Sequence, residues 1–331
     1  MDRRLAWIAC APLALHGCGP AADDRGGRGD APARRQVATL EAADAILASV
    51  QTLLRDERRD QGLGVLASAV ETYPRDRELR RAYAELLTGA GRHAEALEQR
   101  ERALEIGPAT HGLLFDAGAS AAFVEDWALA AERFAAAAEA DPSHAESALR
   151  HGLALRELGR DDGAIAELRR AARLDPTSAI AWGSLAQTLL DRGDGAGAVA
   201  PASRARSLEP GEIAWRVLEA RAVRAAGDPD AALLLLSALD GEDRASRGVR
   251  ETIASLCDQL QRPAIAAGLY AEAARSAGTD PALWLEAARW QRRAGDPGAA
   301  ERSARTAAML GSDAARALLR ELNTDAGGGP E

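Results

Sequence analysis

Residues 145–178 read AESALRHGLALRELGRDDGAIAELRRAARLDPTS, two apolar runs of helical spacing separated by a short break. The first run, Ala148, Leu149, Gly152, Leu153, Leu155 and Leu158, stops at Gly159, a residue suited to a left-handed helix end. The second, Ala164, Ile165, Leu168, Ala171, Ala172 and Leu174, stops at Asp175-Pro176. Proline cannot extend the helix before it but suits the first turn of the next, and the aspartate ahead of it is expected to cap that turn. The stretch predicts helix, tight turn, helix, tight turn.

The same pattern recurs on either side. Pro74, Pro108, Pro142, Pro176 and Pro210 lie 34 residues apart, each preceded by a small residue at Ala69, Ala103, Ala137, Ala171 and Ala205 and by another at Gly62, Ala96, Ala130, Ala164 and Ala198. A fixed period of this length implies a solenoid of stacked hairpins in which each unit touches only its neighbours. Helix axes approach to about 8–10 Å only where side chains are small. Ala84, Gly118, Gly152, Ala186 and Ala220 are therefore expected where the two helices of a unit cross, and Ala171 and its equivalents where units meet. Phe134, Leu168, Trp182, Leu185 and Leu189 fill the remaining space.

With its small residue at position 8, alanine at 20 and 27, an apolar residue at 24 and proline at 32, the repeat resembles the tetratricopeptide repeat family. The resemblance covers about 270 of 331 residues. It implies an all-α, right-handed superhelical solenoid of about eight units over residues 36–323, beginning near 43, 77, 111, 145, 179, 213, 247 and 281 and closed by a cap helix over Asp313–Asn323. Departures are expected to matter locally. Arg100 takes an apolar position, Arg244 takes that of the proline, and the seventh unit carries extra residues around Ser276–Thr279. Pro201 lies inside a second helix, where it costs ~3 kcal/mol or more, so that helix is expected to start late.

Composition excludes several functions. There is no lysine, so phosphate-loop, Schiff-base and lysine-nucleophile chemistry are out of reach. The formal net charge is −9 with acids and arginines interleaved, and no basic stripe for nucleic acid stands out. No catalytic constellation emerges, and no enzyme activity, cofactor or metal is expected. His144 and His151 share a helix face but lie roughly 10 Å apart, too far for one ion. His93 takes the place of Trp127 one unit later and reads as a packing residue, and Cys257 falls on an apolar helix face as a structural cysteine.

At the N-terminus Arg3-Arg4 precede an eleven-residue apolar run, Leu5–Leu15, too short for a permanent membrane span. The ending Leu15-His16-Gly17-Cys18 resembles a bacterial lipoprotein signal. That resemblance implies removal of residues 1–17 and lipidation of Cys18, the alternatives being an ordinary secretory signal or an uncleaved anchor. Gly19, where aspartate would retain some lipoproteins in the inner membrane, points to the outer membrane. Cleavage takes a net +1 with it and leaves about −10, so acyl chains rather than charge would hold the chain to lipid. Residues 18–35, rich in Gly, Ala, Pro and charge, are expected as a flexible tether and 324–331 as a disordered tail.

In solenoids of the family the concave face is lined by positions 2, 5, 9 and 12 of the first helices. Carried onto units three to six, these nominate Phe115, Leu149, Leu153, Arg156, Ile180, Gln187, Leu190, Val217, Arg221 and Arg224. An apolar floor with arginine flanks suits a protein or peptide partner. The family's lysine–asparagine carboxylate clamp and its asparagine ladder are unavailable, since Asn323 is the single asparagine. The expected function is a non-catalytic, lipid-anchored interaction scaffold of the cell envelope. The competing reading is a structural spacer or self-associating module without an external ligand.

Overall fold

The computed structural model describes residues 31–327, with the side chains of 41–324, and the regular structure of those residues is wholly α-helical. They divide into two compact units at the step from Asp175 to Pro176. The N-terminal unit holds four hairpins: α1 (Ala31–Arg55) with α2 (Arg59–Thr72), α3 (Arg77–Gly89) with α4 (His93–Ile106), α5 (His111–Phe123) with α6 (Trp127–Ala140), and α7 (Ala145–Glu157) with α8 (Asp161–Leu174). The C-terminal unit continues the rhythm with α9 (Ala179–Asp191) and α10 (Gly195–Leu208), then α11 (Ile213–Ala225) and α12 (Pro229–Ser237), followed by the single turn α13 (Gly241–Arg244). Next come α14 (Arg247–Gln259) with α15 (Pro263–Ala277), α16 (Pro281–Arg293) with α17 (Pro297–Met309), and a closing helix α18 (Asp313–Gly327).

The period is written into the backbone. Glu57, Gly91, Glu125 and Gly159 in the first unit, and Gly193, Gly227, Gln261 and Gly295 in the second, carry positive φ at steps of 34 residues. Each sits in the turn between the two helices of a hairpin, as expected for Gly159, whose φ is +69°. The crossing points are also as expected. A Cβ built on Gly118 would lie 2.9 Å from the Phe134 ring, and one on Gly152 would lie 2.8 Å from Leu168 Cγ and 3.2 Å from the Ala164 carbonyl oxygen. Phe134 and Leu168 are fully buried against these gaps.

Several expectations need correction. Asp175 does not cap α9: Ser178 does, its Oγ accepting from the Ala181 N–H at 3.2 Å, and Pro176 lies in the turn before it. One repeat earlier Asp141 binds Ser143 within the turn, and His144 caps α7. Four residues separate the helices, so the Asp-Pro pair shapes the turn and leaves the cap to the residue two beyond the proline. The seventh unit has no insertion, because α16 opens 34 residues after α14; α15 is longer and ends at Gly278, φ +61°.

Helix α10 likewise starts in register despite Pro201. Asp194 caps it by accepting from the Gly197 N–H at 2.8 Å, and Gly195 presents no Cβ to the end of α11 at Ala225. The carbonyl that the proline ring displaces belongs to Gly197, the most pliable residue available. At the termini, α1 opens at Ala31, inside the stretch expected as tether, because Pro32 suits a first helical turn and Ala33, Arg34 and Arg35 favour helix. Helix α18 continues through Gly327, past the expected cap boundary. The signal peptide, Cys18 and the rest of the tether and tail lie outside the described residues.

Candidate partner-binding face

In the C-terminal unit the first helices are laced together by polar side chains. Gln187 Nε2 donates to Asp191 Oδ1 at 2.6 Å within α9, and Arg221 Nη1 reaches from α11 to Gln187 Oε1 at 3.1 Å. Arg224 Nη1 donates to Ser255 Oγ of α14 at 2.6 Å. Arg293 of α16 pairs back to Asp258 of α14, and Arg292 Nη1 pairs forward to Glu321 Oε2 of α18 at 2.6 Å. Gln187, Leu190, Arg221 and Arg224 remain partly exposed, as do Ile180 and Val217, the latter resting on the core. Hydrogen bonds between successive repeats thus hold a polar, solvent-facing ladder whose guanidiniums keep spare donors.

The N-terminal unit supplies less than expected. Leu149 and Leu153 are 4% and 0% exposed, so they are core residues and not groove residues. The reason is that α7 packs against both α6 and α8, burying eight of its thirteen residues. Phe115 and Arg156 stay partly exposed. The Phe115 ring meets Phe134 edge-on at 5.5 Å and His144 at 5.6 Å, while Arg156 Nη2 bonds Glu157 Oε1 at 3.3 Å.

Arg100, which breaks the repeat's apolar position, is buried and donates to Ser120 Oγ of α5. Burial lowers its pKa, opposed by the carboxylates of Asp116 and Glu85. The partly buried Asp116 carboxyl is in turn held above its ordinary value by burial, with Arg100 pulling the other way. The cluster is an internal charge balance rather than an open site.

Cys257, His93 and His151 are engaged in packing or pairing contacts. Burial pushes the Cys257 thiol up to about 11, so it stays protonated at neutral pH and is a poor nucleophile. His93 stacks on Phe123 with ring centroids 4.1 Å apart. His151 Nδ1 lies 3.7 Å from Glu167, and no group of three metal-ligating side chains converges among the described residues. No described helix is long and apolar enough to cross a membrane.

Residues 152–193 match a TPR repeat family and residues 47–109 match a Tetratricopeptide repeat family. A tetratricopeptide repeat protein from Parabacteroides merdae ATCC 43184 shares the fold, with a TM-score of 0.52 at 14% identity over 74% of this chain and 98% of that one. Two segments of the chain thus match tetratricopeptide repeat models, and the fold is that of a tetratricopeptide solenoid. Two further solved structures are similar at lower TM-scores. YrrB, a TPR protein with an unusual peptide-binding site, scores 0.49 at 18% identity, covering 54% of this chain and 95% of its own. MamA from Desulfovibrio magneticus RS-1 scores 0.48 at 20% identity, covering 51% and 96%. No curated protein matches the chain. Tetratricopeptide proteins are generally protein-interaction scaffolds.

Two arginines of this face escaped the sequence reading. Arg289 and Arg292 stand on α16 two repeats beyond Arg221 and Arg224. The signal was present: the same 34-residue step, carried past the sixth unit into the eighth, lands on both.

Proposed function

We propose that the chain is a non-catalytic scaffold that binds a protein or peptide partner along the first-helix face of its C-terminal unit, held in the bacterial envelope by lipid on Cys18. The observation that carries the reading is the ladder from Gln187 through Arg221 and Arg224 to Ser255. It is pre-ordered by hydrogen bonds between repeats and still partly exposed. A surface fixed before binding loses little side-chain entropy when a partner docks, and arginine offers forked donors to carboxylates and backbone carbonyls. The Cys18 anchor is supported by Leu15-His16-Gly17-Cys18 after a short apolar run, and Gly19 favours the outer membrane.

The test is in-cell crosslinking with mass spectrometry on wild type and on Arg221→Glu, a partly exposed position whose change leaves the core intact. Loss of the same crosslinked partner from a folded variant supports the face; its retention overturns it. Crosslinks only between copies of this chain in both samples favour the spacer reading. Intact mass of the membrane-extracted protein checks the anchor, since acylation at Cys18 disappears in Cys18→Ser.

A further inference from the structure

We infer that the recess between α16 and α18 takes an acidic peptide segment of a partner protein. The recess is an open depression of about 670 Å³, with Arg289, Arg292 and Arg293 on the α16 side and Ala314, Ala317, Leu318 and Glu321 on the α18 side. Its volume is that of a site for a few side chains. Three guanidiniums within little more than one helical turn repel one another unless anions lie between them.

Two of the three are partly neutralised from within the chain. Arg292 pairs with Glu321, and Arg293 pairs with Asp258 while its guanidinium carbon lies 4.3 Å over the Trp290 ring. Arg289 is exposed and has neither a hydrogen bond nor an ion pair among the described residues. Positive charge is therefore left over beside an apolar wall. The two alanines of α18, Ala314 exposed and Ala317 partly so over the buried Leu318, leave room for a neighbouring backbone and a small apolar side chain to come close. A segment of carboxylates spaced by alanine or leucine satisfies both walls, each carboxylate accepting a forked pair of N–H donors. The inference rests on the scaffold reading for its protein partner and concerns the far end of the same first-helix face, beyond the Gln187–Ser255 ladder.

The test is fluorescence anisotropy on the full chain in detergent, with a short labelled peptide of Glu, Ala and Leu and its Gln-for-Glu counterpart. Wild type should bind the Glu peptide in preference to the Gln peptide, and added salt should weaken the binding. Loss of one charged hydrogen-bond partner corresponds to about tenfold or more in affinity, so Arg289→Glu should weaken the Glu peptide by at least that factor. Melting followed by circular dichroism establishes that the variant is folded, and Arg289→Gln should give a smaller loss. Equal binding of the two peptides, or unchanged binding by folded Arg289→Glu, overturns the inference. So does binding to phosphatidylglycerol vesicles with none to the peptide. An Arg221→Glu variant separates the two proposals: partner capture lost there with peptide binding unaffected by Arg289→Glu leaves the ladder standing and the recess refuted, and the converse result leaves only the recess.

Discussion

At the scale of the single residue, the turn between the helices of each hairpin requires a left-handed backbone, and the eight residues that adopt it are not all glycine. Gly159 was legible as a turn because glycine enters that region freely. Glu125, at φ +63°, was not, because a glutamate carries no such signal and is forced there by the hairpins around it. An L-residue in that region costs roughly 1–2 kcal/mol, part of which glycine returns as unfolded-chain entropy. Glu125→Gly should thus stabilise the chain by about 0.5–1 kcal/mol, and Gly159→Ala should destabilise it by a similar amount, both read from urea midpoints. His144 gives a pH-dependent case. Its Nδ1 accepts from the Ser147 N–H at 3.2 Å as the cap of α7, so the cap requires the neutral ring. Burial first, then neighbouring His111, lowers its pKa below the ordinary 6.5, against the weaker pull of Asp141 and Glu146. A folded-state pKa below the unfolded one means the contribution is present above 6.5 and is lost as pH falls through that value toward the folded one. Burial lowers the pKa of His93 in the same direction. Stability should therefore decline as pH falls below about 6.5, and His144→Asn, which keeps a capping side chain without titrating, should flatten part of that slope. An unchanged slope would mean that the His144 cap does not carry it.

At the scale of the element, repeat geometry overrides local penalties. Pro201 argued for a late helix start, yet neighbouring helices hold α10 to the same register as α8, and two glycines and the Asp194 cap let it comply. The opposite outcome occurs after α12, where Asp240-Gly241 ends the helix early and begins α13. There Asp240 caps by accepting from the Asp243 N–H at 2.9 Å. Arg244, in the place of the repeat proline, closes the break: its Nη1 donates to the Ser237 carbonyl at 2.9 Å and its Nη2 pairs with Glu272 of α15. This link could not be read from the sequence, since it joins residues from three segments and replaces a rigid imino acid with a long polar chain. Arg244→Ala should cost about 1–3 kcal/mol by leaving the Ser237 carbonyl without its charged donor. Hydrogen exchange should accelerate in α12 and α13 first; equal acceleration throughout the C-terminal unit would refute a local role.

At the scale of the whole molecule, the hairpin boundaries were legible because each is announced by proline, glycine and small residues at one period. The face was only partly so. Repeat positions say which way a side chain points, not how deeply the neighbours bury it, and Leu149 and Leu153 sit on the nominated positions yet belong to the core. Polar side chains such as Gln187 and Arg221 stayed accessible because burying them would forfeit hydration. The same nearest-neighbour logic governs stability. Helix α18 lays Ala315, Leu318 and Leu322 over Leu285, Ala288, Ala300, Ala304 and Ala307, closing an apolar face that α16 and α17 would otherwise present to water. Each buried leucine contributes roughly 1.5–3 kcal/mol, a term available only to the hairpin in contact with it. Deleting residues 312–331 should therefore lower amide protection in α16 and α17 strongly and in α14 and α15 less, while α3 to α8 keep theirs. Hydrogen exchange resolved by peptide distinguishes this from an all-or-none fold, in which protection would fall everywhere by the same free energy.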